Sequence, residues 1–184
     1  MKLIVLTLLA ALAIPVAHAA EYTTVLPKQS HIQFEFRQMG VPVKGGFKRF
    51  ATEMVFDPAK PEAARAKIEI DLASIDAGSP EADDESAGKL WFNRSVYPKA
   101  TFVSREVRTL GANRFELRGT LTLKGRSRDM TVPVTYTPGK NAAIFDGGFV
   151  LKRLEFSIGE GLWADVATVA NEVQVRFRIA ATGK

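Results

Sequence analysis

Apolar and polar residues alternate along most of the chain after residue 30. A period of two is typical of β-strands that bury one face. The clearest alternating segments are 32–37, 67–72, 114–118, 130–136 and 172–179, and weaker ones are 47–56, 100–107 and 143–154. The pattern therefore predicts an all-β protein with about eight strands.

Only two segments interrupt the strand pattern with helical character. Residues 58–65 are rich in alanine, and 79–92 open with Ser-Pro and an acidic run. We expect one or two short helices there, and loops at 40–46 and 158–165. Glycines inside strands, at Gly119 and Gly147–Gly148, suit the bends of a sheet that closes on itself. An eight-stranded antiparallel barrel is the expected architecture, its interior filled by side chains or holding one small ligand.

The N-terminus has the pattern of a secretory signal peptide. Lys2 precedes an apolar run from 3 to 16, and Ala17-His18-Ala19 supplies the small residues that a signal peptidase reads. The run is shorter than the roughly 20 apolar residues needed to span a membrane. We expect residues 1–19 to be the signal peptide, 20–184 to form one domain, and the protein to be periplasmic; a retained anchor is the alternative.

The composition narrows the chemistry. The chain has 184 residues, 46% of them hydrophobic, with no cysteine and two histidines, His18 and His31. The lack of thiols excludes disulfides, thiolate catalysis and iron–sulfur clusters. His31 follows Ser30 on a strand, and neighbouring strand residues point to opposite faces, which argues against a catalytic triad. We expect no enzyme activity and no metal site.

Because the net charge is +5, nucleic-acid binding has to be considered as a function. Basic residues are scattered among acidic neighbours, and the expected export also argues against it. The supply of large apolar side chains on the strands instead suggests a ligand cavity. Candidate wall residues are Phe34, Phe36, Phe50, Met54, Ile70, Leu72, Phe102, Leu121, Met130 and Phe149.

Several short motifs, in order, resemble the YceI-like, polyisoprenoid-binding family. They include QMGVPVKGGFKRF at 38–50 and GTLTLKG at 119–125, and the others lie at 30–34, 56–58, 74–76, 97–104 and 156–159. The resemblance implies a lipocalin-like barrel with an apolar tunnel, in an exported protein that binds an isoprenoid quinone or polyprenyl lipid. The bound lipid would then be the only cofactor-like molecule.

The chain departs from the common family pattern at two places. Gln38 stands where many members have histidine, and 82–86 reads ADDES where many have an Arg-Asp-x-His-Leu segment. Trp91-Phe92 and 159–165 resemble a subgroup associated with cytochrome b561 proteins, which implies a quinone-linked role and transient contact with a membrane or a membrane cytochrome.

Three functions follow as hypotheses. The first is an exported carrier of an isoprenoid lipid. The second is a small-molecule hydrolase that uses cavity carboxylates such as Asp83 or Glu160. The third is a stress-related interaction protein whose barrel is filled by its own side chains.

Overall fold

The structure, a computed structural model, describes residues 21–183. The predicted signal peptide at 1–19 lies outside the described residues. Within the described part, no helix is both long and apolar enough to cross a membrane.

The described chain is mostly β-strand with one α-helix, which confirms the all-β prediction. One α-helix, α1, spans Pro80–Ala87. The strands are β1 (Tyr22–Val25), β2 (His31–Gln38), β3 (Val41–Phe47), β4 (Phe50–Val55), β5 (Arg65–Asp71), β6 (Ile75–Asp76), β7 (Lys99–Gly111), β8 (Arg114–Leu123), β9 (Arg126–Thr137), β10 (Ala143–Lys152) and β11 (Glu172–Gly183).

The strands form a single antiparallel sheet that curves into a lipocalin-like half-barrel. The order across the sheet is β4-β5-β7-β8-β9-β10-β11-β2-β3-β6, and β1 pairs with the end of β11. Tyr22 and Phe56 exchange two backbone hydrogen bonds, with N···O distances of 2.8 and 3.1 Å. These bonds tie β1 to the chain that follows β4, so they connect one edge of the sheet to its middle.

The prediction of eight strands was too low, because the described residues contain eleven. Each predicted strand is present, and β1, β3 and β6 are additional. Segment 40–46, expected as a loop, contains most of β3. Pro42, Gly45 and Gly46 hide the alternation there, although β3 pairs with β2 along its whole length. Segment 158–165 does lack strands and contains a 3₁₀ turn at Gly161–Ala164.

Of the two predicted helices, only the second forms an α-helix. Ser79 caps α1 by accepting a hydrogen bond from the Ala82 backbone N–H at 3.2 Å, and Pro80 fits its first turn. The segment 58–65 holds a single 3₁₀ turn, Pro61–Ala63. A run this short gains too few helical hydrogen bonds to offset nucleation.

One end of the half-barrel is filled by rings, which we call the aromatic cluster: Tyr22, Phe56, Phe115, Tyr136 and Phe145. Neighbouring ring centroids are 5.0–6.4 Å apart. Such edge and tilted contacts add to the free energy gained by burial. The Tyr136 hydroxyl donates to that of Tyr22 at 3.2 Å. Burial, with this hydrogen bond, raises the pKa of Tyr136.

Candidate functional site

Two neighbouring cavities occupy the interior of the half-barrel. The larger, which we call the mouth cavity, has a volume of about 480 Å³. The smaller, the inner cavity, has about 130 Å³ and adjoins the aromatic cluster. Along β11, Val173 lines the mouth cavity, Val175 lines both cavities, and Phe177 and Ile179 line the inner one. The strand alternation therefore builds one apolar wall that runs through both spaces.

Nine of the ten candidate wall residues line these cavities. Three line only the mouth cavity (Phe34, Phe36 and Leu72), three only the inner cavity (Met54, Phe102 and Met130), and three line both (Ile70, Leu121 and Phe149). Phe50 lines neither. It is half-buried near the start of β4 and packs against the core cluster that contains the aromatic rings.

Three inward-facing positions of the wall are glycines, and a ring from a neighbouring strand lies over each. The pairs are Phe34 over Gly45, Phe102 over Gly119, and Phe177 over Gly147. A methyl group at Gly119 would lie 2.6 Å from the Phe102 ring, and the clashes at the other two glycines are closer still. The missing side chains therefore let the rings lie against the wall, and this keeps the interior open.

Residues 153–170, which we call the mouth loop, are organised by one side chain, Arg153. Its guanidinium donates to five backbone carbonyls at 2.6–3.0 Å, those of Ile158, Gly159, Trp163, Val169 and Ala170. Arg153 is 2% exposed and lines the mouth cavity. Its five N–H groups are thus all used to hold the loop.

The charge of Arg153 is balanced by dipoles. Among residues 21–183, no carboxylate lies within ion-pair distance of it. The guanidinium carbon lies 5.8 Å from the ring centroid of Trp91, where the π-face is favourable to a cation. Burial lowers the pKa of Arg153. The side chain is therefore a structural cation with no free donor for a ligand.

Further contacts attach the mouth loop to the segment after β6. The Trp163 indole Nε1–H donates to Glu85 Oε1 of α1 at 2.9 Å, and the Trp163 and Trp91 rings are 5.4 Å apart. The Leu90 carbonyl accepts from the backbone N–H groups of Gly159 and Glu160. The loop and α1 thus form one side of the opening.

Lys124 holds the base of the mouth loop from the β8–β9 turn. Its ammonium donates to the Ser157 carbonyl at 2.5 Å and to Glu160 Oε2 at 2.8 Å. The hydrogen bond from Lys124, together with its charge, lowers the pKa of Glu160.

The sequence pattern of the YceI-like domain matches residues 23–181. The chain belongs to the YceI family. A UPF0312 protein of Azotobacter vinelandii is 30% identical over 169 residues, which are 86% of this chain and 85% of the relative.

Two solved structures are similar to this YceI chain. The crystal structure of Burkholderia cenocepacia BcnA has 41% identity and a TM-score of 0.84, covering 86% of this chain and 99% of BcnA. A polyisoprenoid binding domain from Saccharophagus degradans, implicated in plant cell wall breakdown, has a TM-score of 0.68 at 15% identity. It covers 91% of this chain and all of that domain, and at this identity it shows a shared fold.

The two positions that depart from the common YceI pattern have different surroundings. Gln38 lines the mouth cavity and forms a backbone bridge with Val169 of the mouth loop. Asp83 does not line either cavity, and it accepts a hydrogen bond from the Ala77 backbone N–H at 2.6 Å. Gln38 and three residues of the 82–86 segment, Ala82, Glu85 and Ser86, line the mouth cavity and are therefore placed to meet a ligand directly.

Candidate catalytic groups of this YceI chain are engaged in structural contacts. The Ser30 hydroxyl donates to the Leu26 carbonyl and accepts from the Ala180 N–H, and its neighbour His31 is exposed. Asp83 and Glu160, the carboxylates named for a hydrolase, bind Ala77 and Lys124 respectively. Among residues 21–183 no group of three or more His, Asp or Glu side chains is arranged to hold a metal ion.

The strand alternation gave no sign of three mouth-cavity residues that lie in turns, of which Trp91 and Trp163 were noted only through the family resemblance and Arg153 was missed. Trp91, Arg153 and Trp163 line the mouth cavity but belong to turns, where alternation carries no signal. One sequence signal could have revealed Arg153. It is an arginine that directly follows the apolar strand 143–152 and precedes the glycines at 159 and 161.

Exposed apolar side chains surround the opening. We call them the rim residues: Met39, Val41, Leu90, Leu162 and Val166. Met39 is 73% and Leu162 is 90% exposed, although side chains of this kind normally gain from burial. Backbone bonds from Met39 to Thr168 and from Gly159 to Leu90 bring their segments to one end of the YceI barrel.

Proposed function

We propose that this protein is an exported carrier that holds one isoprenoid lipid, a quinone or a polyprenyl chain, in its two cavities. The observation that carries the proposal is the continuous apolar wall of the two cavities. Alternate residues of most strands form this wall, and its glycine positions keep the interior open. A polyisoprenoid binding domain of the same fold is consistent with it.

Apolar burial alone supplies enough free energy for such a function. Each buried methylene contributes about 0.8 kcal/mol, so one five-carbon isoprene unit contributes roughly 4 kcal/mol before costs. The costs of association and ordering are about 4–15 kcal/mol, and a few units offset them. The proposal therefore needs no catalytic step and no metal.

The head group would lie in the mouth cavity, whose wall includes Gln38 and Trp91. Gln38 offers an amide donor and acceptor there. The Trp91 indole Nε1 is buried without a hydrogen-bond partner among the described residues. A small shift of this ring toward a ligand oxygen would satisfy a donor whose isolation is costly.

The rim residues suggest how lipid is exchanged. Five exposed apolar side chains around an opening form a surface suited to transient contact with a bilayer, or with a membrane cytochrome that uses quinone. The signal-peptide pattern supports exchange at the periplasmic face. Cell fractionation, with mass spectrometry of the N-terminus, tests the expected cleavage after Ala19.

Binding is tested by gentle purification, solvent extraction and mass spectrometry, followed by uptake of quinone analogues. Phe36→Asp places a charge in the mouth cavity, whereas Gln33→Asp places the same charge on the exposed face of the same strand. We expect the first variant to lose uptake and the second to retain it, because an unpaired charge in an apolar space is costly.

Circular dichroism of both variants checks that the barrel is folded. If the wild-type protein carries no lipid and takes up no analogue, the carrier function is wrong. Equal uptake by Phe36→Asp and wild type would place the ligand somewhere other than the mouth cavity.

A further inference from the structure

A ring of five side chains separates the two cavities. Ile32, Ile70, Leu121, Phe149 and Val175 each line both spaces. They come from five strands: β10, β11 and β2 are neighbours in the sheet, whereas β5 and β8 belong to its other part, with β7 between them. Because the sheet curves, the shared residues line the junction of the cavities from both parts of the sheet, and we call them the constriction ring.

Phe149 is the central member of the ring. It packs against both core clusters, the one with the aromatic rings and the one around the mouth cavity, as do Phe102 and Met130. In the sheet it lies directly beside Val175, and Val175 is paired on its other side with Phe34. One bulky ring is thus placed where the wide space of about 480 Å³ meets the narrow one of about 130 Å³.

We infer that the constriction ring sets which isoprenoid chain lengths this protein prefers, an inference that rests on the proposed carrier function. A short chain is accommodated in the mouth cavity alone. A longer chain reaches the inner cavity only by passing Phe149 and Val175, so each further unit must displace packed side chains before it gains contacts. Affinity therefore rises with every unit up to the ring and gains less beyond it.

The inference is tested with quinones that share one head group and carry side chains of increasing numbers of isoprene units. For the wild-type protein, a plot of binding free energy against chain length should show a break in slope. Phe149→Ala opens the ring, and we expect it to remove the break and to tighten binding of the longest members by at least about ten-fold relative to the shortest.

Narrowing the ring should do the opposite. Val175→Phe should weaken the long members by at least about ten-fold more than it weakens the shortest. Gln174→Phe, an exposed neighbour on the same strand, is the matched control and should change neither. Where Val175→Phe does not fold, Val175→Leu narrows the ring less, and the Phe149→Ala series stands independently.

The possible results separate the two proposals. If no quinone of any length binds the wild-type protein, the carrier function itself fails. If quinones bind but affinity rises evenly with chain length, or Phe149→Ala affects all lengths equally, the carrier function stands and the constriction ring has no role in selecting length.

Discussion

At one end of the half-barrel the rings of Tyr22, Phe56 and Phe145 contact one another, whereas at the other end Phe34 and Phe36 face a cavity of about 480 Å³. Both ends use aromatic residues on alternating strand positions. The difference lies in what stands opposite each ring. In the aromatic cluster the rings meet rings from several other strands. Phe34 instead lies over Gly45 and contacts the rings of Phe36 on its own strand and Phe47 on the next.

This comparison shows that residue type alone does not decide whether a barrel interior is filled. Rings that meet rings produce a close-packed core. Rings laid against a glycine wall leave space between opposite sides of the barrel. The mouth loop completes the second end. Its shape depends mainly on the hydrogen bonds that Arg153 donates to its carbonyls.

The largest expected effect distinguishes the two ends by stability. Phe56→Ala removes a ring that contacts four others and should lower the free energy of unfolding by about 3–5 kcal/mol. Phe36→Ala, at the cavity wall, should lower it by only about 1–2 kcal/mol, because its ring is incompletely buried. Urea unfolding of both variants measures the difference. The slope of the unfolding free energy against urea concentration should be the same for both. Equal losses would mean that the mouth end is packed as tightly as the cluster.

The second prediction concerns the mouth loop. Arg153→Met keeps the volume but leaves five carbonyls without their donor, which should cost about 2–4 kcal/mol. Hydrogen exchange should increase in residues 158–170 and much less in β8 and β9. Arg153→Lys retains the charge but lacks the planar fork, so it should resemble Arg153→Met. Full recovery by lysine would show that charge, and not the hydrogen-bond pattern, holds the loop.

The third prediction changes one wall glycine. Gly147→Ala should push the Phe177 ring into the inner cavity, reduce binding of long apolar ligands, and cost about 1–3 kcal/mol. Gly148→Ala is a close control, since the added methyl meets a backbone carbonyl at 2.8 Å, compared with 2.9 Å for Gly147, but no ring. If both variants bind alike, the ring displacement does not occur.

The smallest effect is a pH dependence of the loop contact between Lys124 and Glu160. Because the folded state lowers the pKa of Glu160, this pair stabilises the protein above the ordinary carboxyl value of 4.5, and the contribution is lost as the pH falls through the folded value. Unfolding midpoints of wild type and Glu160→Gln should therefore differ at pH 7 and differ less at an acid pH below 4.5. Glu62→Gln, on an exposed turn, reports the general effect of removing one carboxylate. A constant difference at both pH values would contradict this role.

The sequence was informative wherever one face of a strand is buried. Alternation at 172–179 predicts β11 and its inward residues, because a period of two leaves only the choice of face. It failed at β3, where Gly45 faces inward as a bare position and Pro42 interrupts the polar series. The inward-facing glycine that keeps the interior open is thus also the residue that hides the alternating pattern of β3.

The mouth is less predictable for a different reason. Arg153, Trp91 and Trp163 meet through turns that are far apart in sequence, and their contacts depend on backbone paths with no periodic signal. Phe50 shows the converse limit, since it lies on the inward face of β4, directly beside Ile70 of the constriction ring, and yet lines neither cavity. The alternation gives the face of a strand, and only the packed structure shows which inward side chains border the cavities.

Arg153 binds main-chain carbonyls of the mouth loop. The backbone path of the loop therefore depends little on the identity of its exposed side chains. Carbonyl oxygens are present at every position, so side chains such as Leu162 can be exchanged without loss of the frame. Natural variation or directed evolution can therefore alter the opening while the scaffold stays constant, much as antibody loops vary on a fixed sandwich. A library restricted to the exposed positions Leu162 and Val166 would explore new recognition surfaces with little risk to folding.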